Sequence, residues 1–104
     1  MHARIVTVHV KPQDVEEIST IYNESILPAA REQSGFRGAT FVVDAKSGKG
    51  ISVTLWATER DLRAGEQNGY YQEQVAKCAS LFTSAPQREE YHVAAHVAAE
   101  PLWA

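Results

Sequence analysis

The chain has 104 residues, 44% of them apolar, a formal net charge of −3 and one cysteine. That length is one domain with a modest core, and the apolar content is that of a folded chain. The sequence has no basic run for nucleic acid or an anionic membrane, no possible intramolecular disulfide, and no stretch near the ~20 apolar residues of a membrane span. The N-terminus lacks the apolar core of a signal peptide, so a cytoplasmic protein is expected.

One pattern, strand–helix–strand, occurs twice, over residues 3–44 and 50–97. The first strand runs from Arg4 to Val10. Val6, Val8 and Val10 share one face, and Ile5, Thr7 and His9 the other. Pro12 ends it, and Asp14 and Glu17 favour a helix start. Val15, Ile18, Tyr22 and Ile26 recur at helical spacing. Pro28 falls inside this pattern and predicts a kink or an early close; Gly35 is the expected stop. Ala39–Asp44 is the second strand and Lys46–Gly50 a turn. The third strand alternates cleanly, with Ile51, Val53 and Leu55 against Ser52, Thr54 and Trp56, so a hairpin is expected.

Thr58 with Asp61 is a helix N-cap signal. Gly65 and Gly69 each weaken the following helix by roughly 1 kcal/mol, and a break is expected near Asn68-Gly69. Tyr71, Val75, Cys78 or Ala79, and Phe82 resume the apolar stripe until Pro86. The last strand is read as Glu90–Val97, with Tyr91, Val93, Ala95 and Val97 on one face and His92, Ala94 and His96 on the other. Residues 98–104, with Trp103, form a tail.

Right-handed, un-knotted connections reduce this order to a ferredoxin-like split βαβ sandwich, an α+β fold. The sheet is antiparallel in the order 4-1-3-2, with both helices on one face. Giving the helices the most apolar strand faces leaves Thr7, His9, Ser52, Thr54, Trp56, His92 and His96 on the bare face. Trp56 then reads as a pocket wall, or as an interface anchor or plug. His9, His92 and His96 are candidate proton acceptors, or plain surface histidines. On a strand His92 and His96 stand about 13 Å apart, so they cannot share an ion, and no metal site is expected. Tyr70 or Tyr71 can reach a substrate, with Tyr71 on the apolar stripe and better suited to packing. Arg37 and Arg63 are anion contacts or solvated side chains. Cys78 reads as a packed thiol.

The run Gly50-Ile51-Ser52-Val53-Thr54-Leu55-Trp56-Ala57-Thr58-Glu59-Arg60-Asp61-Leu62-Arg63-Ala64, then Gly69-Tyr70-Tyr71, resembles the strand-to-helix segment of antibiotic biosynthesis monooxygenase domains. Pro28 through Gly38 is similar to the end of their first helix. The resemblance covers about residues 3–97. It implies a dimeric α/β barrel, a homodimer in which two bare sheet faces close a cavity. It also implies cofactor-independent oxygenation of an aromatic phenol or quinol. On that reading His9 or His92 is the base, Trp56 the stacking wall, and Thr7, Thr54, His96 and Tyr70 further substrate contacts. The haem-degrading branch uses an Asn on the first strand and a Trp–His pair on the second helix. Here the first strand has no Asn, and Gly65 and Val75 stand near the helix positions, which argues against haem degradation. The alternatives are a binding protein for a hydrophobic small molecule or haem, and a structural domain with a filled interior.

Overall fold

Four antiparallel strands hold the β-branched runs: β1 (His2–His9), β2 (Phe36–Val43), β3 (Lys49–Trp56) and β4 (Gln87–His92). The structure is a computed structural model that describes residues 1–99; Trp103 and the tail from residue 100 lie outside the described residues. The sheet order is β2-β3-β1-β4, the expected order read from the other edge. Between β1 and β2 lie α1 (Val15–Ile21) and α2 (Leu27–Arg31), and between β3 and β4 lie α3 (Glu59–Gln67) and α4 (Tyr70–Cys78). The helices pack on one sheet face, where Val6 and Val8 meet Ile18 and Cys78. Among the described residues no helix is long and apolar enough to cross a membrane.

Pro28 does not close the first helical stretch, which runs on to Arg31. A π-helical turn, Tyr22–Ile26, joins α1 to α2. The turn inserts an extra residue into the ladder, so Pro28 falls in the first turn of a new segment, where a missing N–H is tolerated. The Thr58 cap forms as expected: its Oγ1 accepts the Asp61 N–H at 3.1 Å. The expected break separates α3 from α4 at Gly69, whose φ of 88° is left-handed.

The strand faces correct part of the sequence reading. β1 pairs with β3 as Arg4↔Thr54, Val6↔Ser52 and Val8↔Gly50, so these residues share a face. That face is the helical one, because the Tyr22 hydroxyl from the π turn meets Ser52 Oγ at 2.7 Å. Ser52, Thr54 and Trp56 therefore lie beneath the helices, and Ile51, Val53 and Leu55 lie on the bare face. β4 is corrected likewise. It ends at His92, and residues 93–99 form no strand. Its pairings Val6↔Arg88, Arg4↔Glu90 and His2↔His92 put Arg88, Glu90 and His92 on the helical side, leaving Tyr91 with Glu89 on the bare side. Apolarity could not choose the face of β3, because both sides of the central strands are covered by apolar or hydrogen-bonded side chains.

Leu62 on α3 is 0% exposed. Leu62→Ala should cost about 2–5 kcal/mol, and Thr58→Ala about 1 kcal/mol through the lost cap. Urea midpoints at a common slope would measure both.

Candidate functional site

Between the sheet and the helical layer lies a cavity of about 80 Å³. Val6 and Val8 of β1, Ile18 and Ile26 of the first helical stretch, Cys78 at the end of α4 and Phe82 beyond it line its apolar part. Its polar end is formed by Arg4, Thr54, Tyr70, Tyr71 and Gln74.

Arg4 is the unusual member. It follows the parity of Val6 and Val8 and is 3% exposed. Its Nε donates to Glu66 Oε2 at 3.2 Å, and its Nη2 donates to the Leu62 carbonyl at 3.0 Å. The guanidinium lies 4.4 Å from the Tyr71 ring centroid and 5.6 Å from that of Trp56. Burial pulls its pKa down, and Glu66 opposes that. An arginine starts so far above neutrality that it stays charged. Glu66 also pairs with Arg88 at 2.9 Å and Arg63 at 3.7 Å, and Arg63 pairs in turn with Glu90 and Glu59. An alternating chain of charges thus runs from the cavity to the surface.

Gly65 acquires a role that the sequence showed only as a helix weakness. A Cβ there would stand 3.1 Å from Tyr70 Cδ2 and 4.0 Å from Arg4 Nη2. The missing side chain lets α3 approach both. Burial pushes the Tyr70 hydroxyl up to about 12. Burial also raises Tyr71, with Arg4 opposing the shift. Neither hydroxyl has a hydrogen-bond partner among the described residues. Thr54 Oγ1 accepts the Trp56 Nε1–H at 3.0 Å, and Gln74 Oε1 accepts from Lys77 at 2.7 Å. At the far end Tyr22 stacks on Phe41, centroids 4.8 Å apart. A second recess of about 140 Å³ shares Tyr22, Leu27, Ala39 and Phe41 with the first.

Of the sequence candidates, Thr54 and Tyr70 line the cavity, and Tyr71 joins them. Trp56 does not. It is 1% exposed and sits edge-on to Tyr70 at 6.3 Å and to Phe36 at 5.8 Å, as a plug behind the polar end. Thr7 and His9 lie on the bare face, away from the cavity. His92 is exposed at the end of β4, and His96 is exposed beyond it. None of the four histidines lines the cavity. Arg63 is engaged in the charge chain, and the exposed Arg37 donates to the Phe36 carbonyl. Among the described residues no cluster of three or more His, Cys, Asp or Glu could hold a metal. Arg4 was missed, although one signal pointed to it: a charge spaced by two from Val6 and Val8 on a face otherwise apolar.

Tyr70 gives a signed pH dependence. It ionises at 10.0 by its ordinary value and at about 12 in the fold. The fold holds that proton more tightly, so the contribution to stability is complete below pH 10 and is lost as pH rises to about 12. Ultraviolet titration should show a late-ionising tyrosine that Tyr70→Phe removes, and the variant should lose less stability over that interval than the parent.

No family model matches the sequence. Two uncharacterised proteins of Mycobacterium tuberculosis H37Rv, Rv2557 and Rv2558, are similar to 91% and 90% of the chain at 26% and 28% identity. The chain spans 42% and 39% of their lengths. Among solved structures, a Streptomyces coelicolor monooxygenase from the gene ActVA-Orf6, in complex with nanaomycin D, superposes with a TM-score of 0.78 at 16% identity, covering 95% of this chain and 92% of that one. A Bordetella bronchiseptica protein described as an antibiotic biosynthesis monooxygenase gives 0.76 at 16% identity, covering 90% and 97%. The Nitrosomonas europaea protein NE2512, of unknown function, gives 0.72 at 24% identity, covering 96% and 95%. The order of strands, the one-sided helical layer and these superpositions agree that the chain has the fold of the antibiotic biosynthesis monooxygenase domains.

Proposed function

We propose that the chain is a cofactor-independent monooxygenase of the antibiotic biosynthesis type, acting on a phenol or quinol in the cavity between sheet and helices. The observation that carries this reading is the joining of an apolar chamber to a polar end built of hydrogen-bond donors around Arg4. Such an end suits an oxyanion. The Streptomyces coelicolor monooxygenase of the same fold holds its own ligand, nanaomycin D, which supports a small-molecule site in this architecture.

The chemistry needs no further reductant. A phenolate held at Arg4 gives an electron pair from its para carbon to dioxygen, forming a carbon–oxygen bond and a peroxide. The O–O bond then breaks as the para C–H proton is lost. One oxygen atom stays on the ring as the quinone carbonyl. The other leaves as hydroxide and takes the proton first lost from the phenol, becoming water. On this reading Thr54 and Tyr70, which line the cavity, hydrogen-bond the substrate, and Trp56 supports the ring of Tyr70 from behind.

The bare face supports a homodimer. It presents Ile5, Ile51, Val53 and Leu55, with Val42 at 52% and Tyr91 at 49% exposure. A contiguous apolar patch of this kind marks an interface, and two such sheets pack face to face. A second reading, a binding protein that holds a hydrophobic small molecule without turnover, draws support from the cavity wall, which carries no histidine and no carboxylate. A haem held in the same cavity would find no histidine there.

Oxygen uptake with phenols and hydroquinones separates the readings. Uptake is expected with at least one single-ring substrate. Arg4→Gln should lower kcat/KM by about 10²-fold or more, the scale of a lost oxyanion donor. Tyr70→Phe should lower it less. Unchanged rates in both variants would remove this end of the cavity from the site, whereas ligand binding without uptake would leave the binding protein. Light scattering should give about twice the 11.5 kDa chain mass, and Val53→Asp should halve the measured value. A parent that scatters as a monomer at micromolar concentration would end the dimer proposal.

A further inference from the structure

We propose that the Phe41 ring is the moving leaf of a gate: it stands against Tyr22 between the two recesses, and its swing away from Gly50 joins them into one chamber that admits an aromatic ring. This rests on the reading of the cavity as a ligand site and deepens it by naming the residue that controls entry.

The first support is size. The cavity has a volume of about 80 Å³, whereas roughly 150 Å³ is the size of cavity that takes a benzene ring. The second recess, of about 140 Å³, is bounded by the same Tyr22, Leu27, Ala39 and Phe41. Within that shared wall the stacked pair bridges the two layers, with Tyr22 coming from the helical side and Phe41 from β2. Parting the pair joins the recesses. The second support is that the two rings are held unequally. Tyr22 is 6% exposed, sits in the π-helical turn, and has its hydroxyl bonded to Ser52 Oγ at 2.7 Å. Phe41 is half-buried, has no polar tether, and belongs to an edge strand. Tyr22 is therefore the fixed post, and Phe41 is the side chain free to change rotamer.

The third support is Gly50 on the neighbouring strand β3. A Cβ there would stand 2.8 Å from Phe41 Cζ and 2.9 Å from Phe41 Cε1. The inward position of the ring thus exists because residue 50 has no side chain. Gly50 is outside the set of glycines with a left-handed φ, so the backbone does not call for glycine. Glycine inside a strand weakens it, and its use there marks a close approach. Here the approaching group is the Phe41 ring. A methyl at residue 50 would evict that ring. It would not fill the cavity, because Gly50 is not among the lining residues. Its other close neighbour, Val8 Cγ2 at 3.1 Å, needs to give by only a few tenths of an ångström.

Fluorobenzene tests this without turnover, because it is a neutral ring with no phenolic oxygen. Fluorine exchange NMR on the intact protein gives its association and dissociation rates. A ligand that needs a sparsely populated open form binds more weakly by the fraction open, and a variant that favours the open form removes that loss. Gly50→Ala should therefore raise the association rate at least about tenfold and leave the dissociation rate within about twofold, because the bound ring already holds the gate open. Phe41→Leu, which shortens the leaf, should act in the same direction and decides the matter if Gly50→Ala loses cooperative thermal unfolding. An unchanged or slower association in the folded variant, a rise of both rates together, or no binding of fluorobenzene to the parent and both variants overturns the inference. Faster entry in the variants with no oxygen uptake on any phenol leaves the gate standing and removes the oxygenase.

Discussion

The placing of Arg4 on the helical side of β1 constrains everything around it. A guanidinium taken out of water is costly unless its charge and its N–H groups find partners. Glu66 supplies the charge, the Leu62 carbonyl caps one N–H, and the rings of Tyr71 and Trp56 cover the flat faces. Both polar partners come from α3, so the depth at which α3 sits on the sheet is fixed by this one side chain. Gly65 permits that depth, because any Cβ would press on the Tyr70 ring. The end of the cavity is polar because the pairing is incomplete: the partners satisfy Arg4 on the α3 side and leave Nη1 unbonded.

The same pairing ties the edge of the sheet to the helical layer. β4 carries Arg88 and Glu90 on its helical side, and both enter the charge chain with Glu66 and Arg63 of α3. Exposed ion pairs of this kind contribute little individually. Their effect here is geometric. They hold a short strand of mostly polar residues at its register, where apolar burial supplies little, and Glu59 and Glu90 balance the charges of Arg63 and Arg88 as Glu66 balances Arg4.

Much of the fold was legible in the sequence. The β2–β3 hairpin, the cap at Thr58 and the break at Gly69 follow from local turn and capping chemistry, which acts over a few residues, and the strand order follows from the handedness of the crossovers. The faces of β3 did not follow. Choosing a side by apolarity assumes that only one side is covered, and the bare face of this sheet is as apolar as the helical one. Ser52 and Thr54 tolerate burial because each has a hydrogen-bond partner, Tyr22 and Trp56 respectively. Tyr22 lies outside the strand, and the Trp56 indole N–H folds back on Thr54 from two residues along it, so no alternation within six residues records either bond. The last strand was misplaced for a related reason. Tyr91, Val93, Ala95 and Val97 alternate well, but the ladder depends on Gln87–His92 meeting β1, and its polar residues are held by ions rather than by apolar packing.

Because side chains alternate along a strand, one misassigned face moves a site from one side of the sheet to the other. With β3 turned over, Ser52 and Thr54 move from the bare face to the cavity between sheet and helices. Every residue lining that cavity comes from the one chain, and the bare face carries Ile5, Ile51, Val53 and Leu55 beside Thr7 and His9. Val6 and Val8 serve the chamber while Ile5 and Thr7, one residue away, serve the other surface. The cavity wall and the bare face are thereby written into alternate positions of the same strands. The helical side keeps Arg4, Thr54 and the tyrosines from α4 around one cavity, where reduced polarity strengthens each donor. The bare side needs only shape and apolar area. A chain of this length can hold both because neither surface shares a side chain with the other.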